Sequence, residues 1–144
     1  LFQQFFLFTW LIRSLNAFPV ERDRGDVGAV RETIRHLREG HLVLAFPEST
    51  RTYTGKIGAL KRGLFVISGR ANVPVVPTIV DGAFEAWPRT RLLPGPAKLT
   101  VVFGKPLLPS DFGGDADAMA QACHSALEGL QERVRLTAAS RSGR

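Results

Sequence analysis

Three short, nearly uninterrupted apolar runs constrain this chain most: HLVLAF at 41–46, VPVVPTIV at 73–80 and KLTVVFG at 98–104. Each has the length of a strand, and HLVLAF, apolar at both alternating positions, predicts a strand covered on both faces. Pro74 and Pro77 have no N–H to give a ladder, so the second run belongs at a sheet edge or is irregular. Around these runs the apolar residues return at helical spacing. GLFVISGRA at 63–71 reads as a helix. Residues 116–136 read as a closing helix with Met119, Ala126, Leu127, Leu130 and Val134 inward. Residues 3–16 read as an opening helix and AFPV as a short strand, while PRTRLLPGPA is a loop. This βα rhythm predicts an α/β fold, a central mixed and largely parallel sheet flanked by helices.

A further helix is expected after Asp26, which can cap it, with Val27, Val30, Ile34 and Leu37 as its inward stripe and Gly40 at its end. Arg31, Arg35 and Arg38 line another side. Two readings fit them: a solvated face partly paired with Glu32 and Glu39, or a contact with an anionic membrane surface.

At 144 residues and 44% apolar content the chain makes one domain, expected over 1–136, with TAASRSGR at 137–144 as a disordered tail. The single cysteine, Cys123, excludes an internal disulfide and reads as a small core residue. The net charge of +6 favours an anionic partner. The apolar run at 5–12 is shorter than the about 20 residues that span a bilayer, so it is expected to lie on a membrane or in a core. The chain opens on Leu1, without the basic start of a signal peptide, and reads as part of a longer sequence.

The stretch FPESTRTYTGKIGALKRG at 46–63 carries the strongest chemical signal. From 49 to 80 there is no Asp or Glu, while Arg51, Lys56, Lys61, Arg62 and Arg70 supply five positive charges. The stretch follows a predicted buried strand, the edge where α/β sheets bind ligands. Ser49, Thr50 and Thr52 offer hydroxyls, Gly55 and Gly58 allow close backbone approach, and Arg51 can grip two phosphate oxygens in a fork. A phosphate monoester suits such a site. The competing reading is an exposed basic loop with Glu48 paired to Arg51. Burying an acid directly after a strand is costly without a partner, which leaves Glu48 to orient the arginine or to bind an acceptor hydroxyl.

Other chemistries find less support. GALKRGL has Leu64 and Phe65 where a nucleotide-binding P-loop needs Lys and Ser or Thr. His36, His41 and His124 show no metal spacing and no cysteine pair accompanies them, so no metal and no cofactor are expected. With Tyr53 and Phe65 as the only aromatics of the basic segment, no nucleic-acid partner is expected either.

The ordered blocks AFPVER (17–22), FPESTR (46–51), LKRG (60–63) and VPVVPT (73–78) resemble the 1-acylglycerol-3-phosphate acyltransferases of the glycerolipid acyltransferase superfamily. They look like the second, third and fourth family blocks and a basic element between the last two. Ser49 stands where the third block usually has Gly. The family's first block, His-x-x-x-x-Asp, is missing, since no histidine here has an Asp five residues on. The resemblance implies an N-terminally truncated glycerolipid-acyltransferase-like fold in which that block lies upstream, so no catalytic residue is expected in this chain. It further implies that Arg22, Arg51 and Lys61 neutralise an acceptor phosphate. Glu48 would hold the loop or a glycerol hydroxyl, Ser49 and Thr50 would add hydrogen bonds, and Val73, Pro74, Val76 and Pro77 would shape an acyl groove. The implied donor is acyl-CoA or acyl-carrier protein and the implied acceptor a lysophospholipid. The implied location is peripheral, on the cytoplasmic side of the cell membrane. A non-catalytic module for anionic lipid surfaces is the alternative.

Overall fold

The computed structural model of the chain describes residues 27–48, 52, 54–88 and 90–142. The expected opening helix, the AFPV strand and the Asp26 cap lie outside these residues. The chain divides into two compact units, Leu1–Val43 and Leu44–Arg144.

In the first unit, helix α1 spans Val27–Arg38. Its buried centre is Thr33, whose Oγ1 donates to the Ala29 carbonyl at 2.7 Å. Val30, Ile34 and Leu37 are half-buried, but Val27 is 68% exposed, so the expected stripe starts one turn late. Gly40, with φ 83°, ends the helix by the turn its sequence suggested. There the His41 N–H reaches the His36 carbonyl and the Gly40 N–H reaches that of Leu37. The paired reading of the basic side holds for Arg35, which donates to Glu32 at 3.1 Å and to Glu39 at 2.7 Å.

The second unit is built on α2 (Gly63–Ala71), β1 (Thr78–Asp81), a single turn α3 (Ala83–Ala86), β2 (Thr100–Phe103), a 3-10 turn (Pro109–Phe112) and α4 (Ala116–Ser142). GLFVISGRA is helical over its full length, as its spacing predicts. Its Phe65 is 1% exposed and packs with Ala116, Met119, Cys123 and Leu127 of α4. The spacing of three and four along α4 places these residues, and Leu130, on one side. Cys123 is thus a core residue, and its burial pushes the thiol pKa up. The α4 helix runs on to Ser142, so the segment expected as a tail from 137 begins inside it.

The sheet differs from expectation. Among the described residues it has two strands, antiparallel, with Thr78 opposite Phe103 and Asp81 opposite Thr100. A central, largely parallel sheet is not found there. A parallel pair needs a crossover of a dozen or more residues, which is usually built on a helix that packs back on the sheet. Residues 82–99 supply one helical turn and then Pro88, Pro94 and Pro96. The prolines of VPVVPT act as expected: only Val75 bridges, to Leu107, and the ladder starts after Pro77. HLVLAF is the clearest departure. Residues 41–46 carry no ladder among the described residues, and Leu42, Leu44 and Phe46 are 92%, 72% and 75% exposed. Continuous apolarity says what side chains prefer; it does not supply the neighbouring backbone that a strand needs.

Candidate acceptor site

Pro47 and Glu48 follow HLVLAF directly and open a loop that two polar contacts close. The Lys61 N–H donates to the Pro47 carbonyl at 2.9 Å. The Gly58 N–H donates to Glu48 Oε2 at 2.7 Å. A Cβ on Gly58 would sit 3.1 Å from that same oxygen, so the bare glycine is what lets the carboxylate approach. Glu48 is therefore engaged with the loop backbone, one of the two roles the resemblance implied for it. Thr52 Oγ1 donates to the Lys56 carbonyl at 2.9 Å and tightens the middle of the loop. Ile57 and Leu60 pack against the Phe65 cluster, which fixes the loop's far end to the core.

Of the expected acceptor residues, Glu48 and Lys61 are brought to the two ends of this closed loop, with Lys61 exposed. Arg22, Ser49, Thr50 and Arg51 lie outside the described residues. Val73 is half-buried, Pro74 exposed, Val76 44% exposed and Pro77 buried; Val75 between them packs on the Phe65 cluster. One expectation needs correcting. Arg62 has no acid near it in the sequence from 49 to 80, yet its Nε lies 3.1 Å from the Asp117 carboxylate of α4. The acid that balances it is remote in sequence, and both groups are largely exposed, so the pair contributes little to stability.

Two features escaped the sequence reading. Gln131 Nε2 of α4 donates to the Gly55 carbonyl at 2.9 Å, so the closing helix holds the loop. A glutamine on the rim of an amphipathic helix carries no local sign of such a role. The turn after α1 also gathers ligand atoms of His36, Glu39 and His41 within 4.8 Å of one another, a grouping hidden in linear spacing. Glu39 already accepts from Arg35 there, so a cation would have to displace a guanidinium. An open cavity of about 510 Å³ between α2 and the 3-10 turn is lined by Arg62, Phe65 and Arg70 among others, and neither Glu48 nor Lys61 reaches it. Among the described residues, no helix is long and apolar enough to cross a membrane.

With this geometry in place, comparison with known proteins is decisive. A sequence model of the family described as Acyltransferase matches residues 1–81, more than half of the 144. The chain belongs to the acyltransferase family. The matched span holds all four sequence blocks and the loop between FPESTR and LKRG. The acyltransferase chain is 31% identical over 101 residues to a 1-acyl-sn-glycerol-3-phosphate acyltransferase of Bacillus subtilis, covering 70% of this chain and 48% of that protein. It is 27% identical over 130 residues to a chloroplastic 1-acyl-sn-glycerol-3-phosphate acyltransferase of Brassica napus, covering 88% of this chain and 36% of that protein. Its fold is similar to the crystal structure of the 1-acyl-sn-glycerophosphate acyltransferase PlsC from Thermotoga maritima, with a TM-score of 0.68 and 28% identity over 86% of this chain and 51% of that one. The chain thus spans between about a third and a half of the relatives it matches.

Proposed function

We propose that this acyltransferase chain forms the acceptor-binding part of an O-acyltransferase of phospholipid synthesis. The enzyme would transfer a fatty acyl group from acyl-CoA or acyl-carrier protein to 1-acylglycerol-3-phosphate or a similar lysophospholipid. The observation that carries the reading is the closed loop, in which the Pro47 to Lys61 contact joins the FPESTR and LKRG blocks and the Glu48 to Gly58 contact ties the first of them to the loop between. In this reading Arg22, Arg51 and Lys61 neutralise the acceptor phosphate, and Ser49 and Thr50 donate to it. Val73, Pro74, Val76 and Pro77 contribute to the acyl groove.

In the reaction the acceptor hydroxyl loses its proton to a general base, its oxygen bonds to the thioester carbonyl carbon, and the carbon–sulfur bond breaks to release a thiol that takes up a proton. No histidine of the chain has an Asp five residues on, so the base and its orienting acid are not among these residues. A water-poor acyl substrate and a charged acceptor place the enzyme peripherally, on the cytoplasmic side of the cell membrane. Acyl transfer to a panel of lysophospholipids tests the reading, comparing this chain with a form extended upstream to include His-x-x-x-x-Asp. We expect turnover by the extended form alone and a rise in acceptor KM of roughly tenfold or more in its Arg51→Ala variant, as for a lost bidentate phosphate contact. Turnover by the unextended chain, or an unchanged KM, overturns the assignment.

A further inference from the structure

We infer that the loop between α3 and β2 is a membrane-insertion tip that sets Leu92 and Leu93 into the surface of an anionic bilayer. The inference rests on the reading that the acceptor is a lipid presented by a membrane. A single exposed leucine is ordinary on a protein surface. Here two adjacent leucines are 95% and 78% exposed at the turn of one loop.

They are held there by a closed neck. The Gly95 N–H donates to the Ala86 carbonyl at 2.7 Å, and the Arg91 N–H to the Pro88 carbonyl at 3.0 Å. Trp87 Nε1 donates to the Arg91 carbonyl at 3.1 Å, while 44% of Trp87 remains exposed. Pro88, Pro94 and Pro96 restrict the backbone on either side. At the base of the loop Gly82, with φ 83°, faces the Lys98 carbonyl so closely that a Cβ would lie 2.1 Å from it. The leucines are therefore presented by a braced loop, which spares the entropy of ordering them on binding.

The charge around the tip matches one kind of surface. From 86 to 110 the sequence holds Arg89, Arg91, Lys98 and Lys105 and no acid. Arg91 and Lys98 are exposed, and the Arg91 guanidinium folds back beside Gly95, where the neck of the loop closes. Apolar tip, interfacial tryptophan and basic base follow the order of acyl region, interface and lipid phosphate that a bilayer presents. Among the described residues, no such bracing holds the exposed Leu42, Leu44 and Phe46.

Site-selective fluorescence tests this. Cys123 is the only cysteine and is 3% exposed, so a Leu92→Cys variant takes a polarity-sensitive maleimide probe at one place. A Glu132→Cys variant on the exposed side of α4 is the control. On adding vesicles of phosphatidylcholine and phosphatidylglycerol, we expect a blue shift from the probe at 92 and none at 132. Co-sedimentation should fall at least tenfold in Leu92→Glu/Leu93→Glu, with circular dichroism confirming its fold. It should fall about fivefold for each of Arg91→Ala and Lys98→Ala, on anionic vesicles only. A probe at 92 that stays in water while the chain still sediments with vesicles overturns the inference and spares the membrane reading. A probe shielded in buffer before vesicles are added overturns it too, because the loop is then an internal contact. Absence of vesicle binding removes both readings. Insertion without acyl transfer by the extended form leaves this inference standing and removes the proposed reaction.

Discussion

The α2/α4 core and the loop from Pro47 to Lys61 adjoin one another but are held by different forces. The core closes through apolar burial: Phe65, Met119, Cys123 and Leu130 are each below 5% exposed. The loop closes through single hydrogen bonds from Gly58, Lys61 and Gln131. Burial is worth kilocalories for each large side chain, whereas a hydrogen bond exchanged with water nets about 1 kcal/mol. The core can therefore stay closed while the loop opens locally, as weakly held loops on firm scaffolds do.

The largest expected effect breaks the core. Phe65→Ala should cost about 3–5 kcal/mol in urea unfolding, since the ring is fully enclosed between α2 and α4. A loss below 1 kcal/mol would show that the core is not where the stability lies. Next comes the loop: Glu48→Ala leaves the Gly58 N–H without its acceptor and should cost about 1–3 kcal/mol, while Glu48→Gln, which keeps a carbonyl oxygen, recovers part of it. Amide exchange at Gly58 should rise by more than exchange at Phe65. Equal changes at both would merge the two regions into one cooperative unit.

Gly58→Ala sharpens the contrast further. Its Cβ would press the Glu48 carboxylate by a few tenths of an ångström, and the stiffer unfolded chain offsets that, so unfolding should stay within about 1 kcal/mol of the parent. Exchange of the amide at 58 should nonetheless quicken.

The smallest effect concerns the cap of α4. The Asp115 carboxylate accepts from the N–H groups of Ala118 at 3.1 Å and Asp117 at 2.9 Å, and these bonds hold its pKa below the usual value. The unfolded chain titrates near about 3.9, so the cap's contribution is complete above that pH and is lost as the pH falls through the lower folded value. Asp115→Ala should lower Tm by a few degrees at neutral pH, and Asp115→Asn should flatten the acid limb of a Tm-against-pH curve. An unchanged curve would place the acid sensitivity elsewhere.

The sequence was most informative where structure depends on near neighbours. Helical spacing located α2 to the residue and put Met119, Leu127 and Leu130 inward, while Ala126 and Val134, expected beside them, are only half-buried. The prolines at 74 and 77 marked where the β1 ladder could not begin. The motif blocks led to the family and to a loop whose ends meet. What stayed hidden depends on partners remote in the chain: the antiparallel pairing of β1 with β2, the Asp117 that answers Arg62, and the Gln131 that grips the loop. HLVLAF, expected as a strand, likewise finds no ladder partner among the described residues, and its composition names none.

The grip of Gln131 on Gly55 spans 76 residues of sequence. During synthesis the loop emerges long before the helix that fastens it, and domains take shape from the N-terminal side at the pace of translation. A nascent chain paused before Gln131 thus carries the four motif blocks while the loop still lacks its last fastening, which forms only once α4 has left the ribosome.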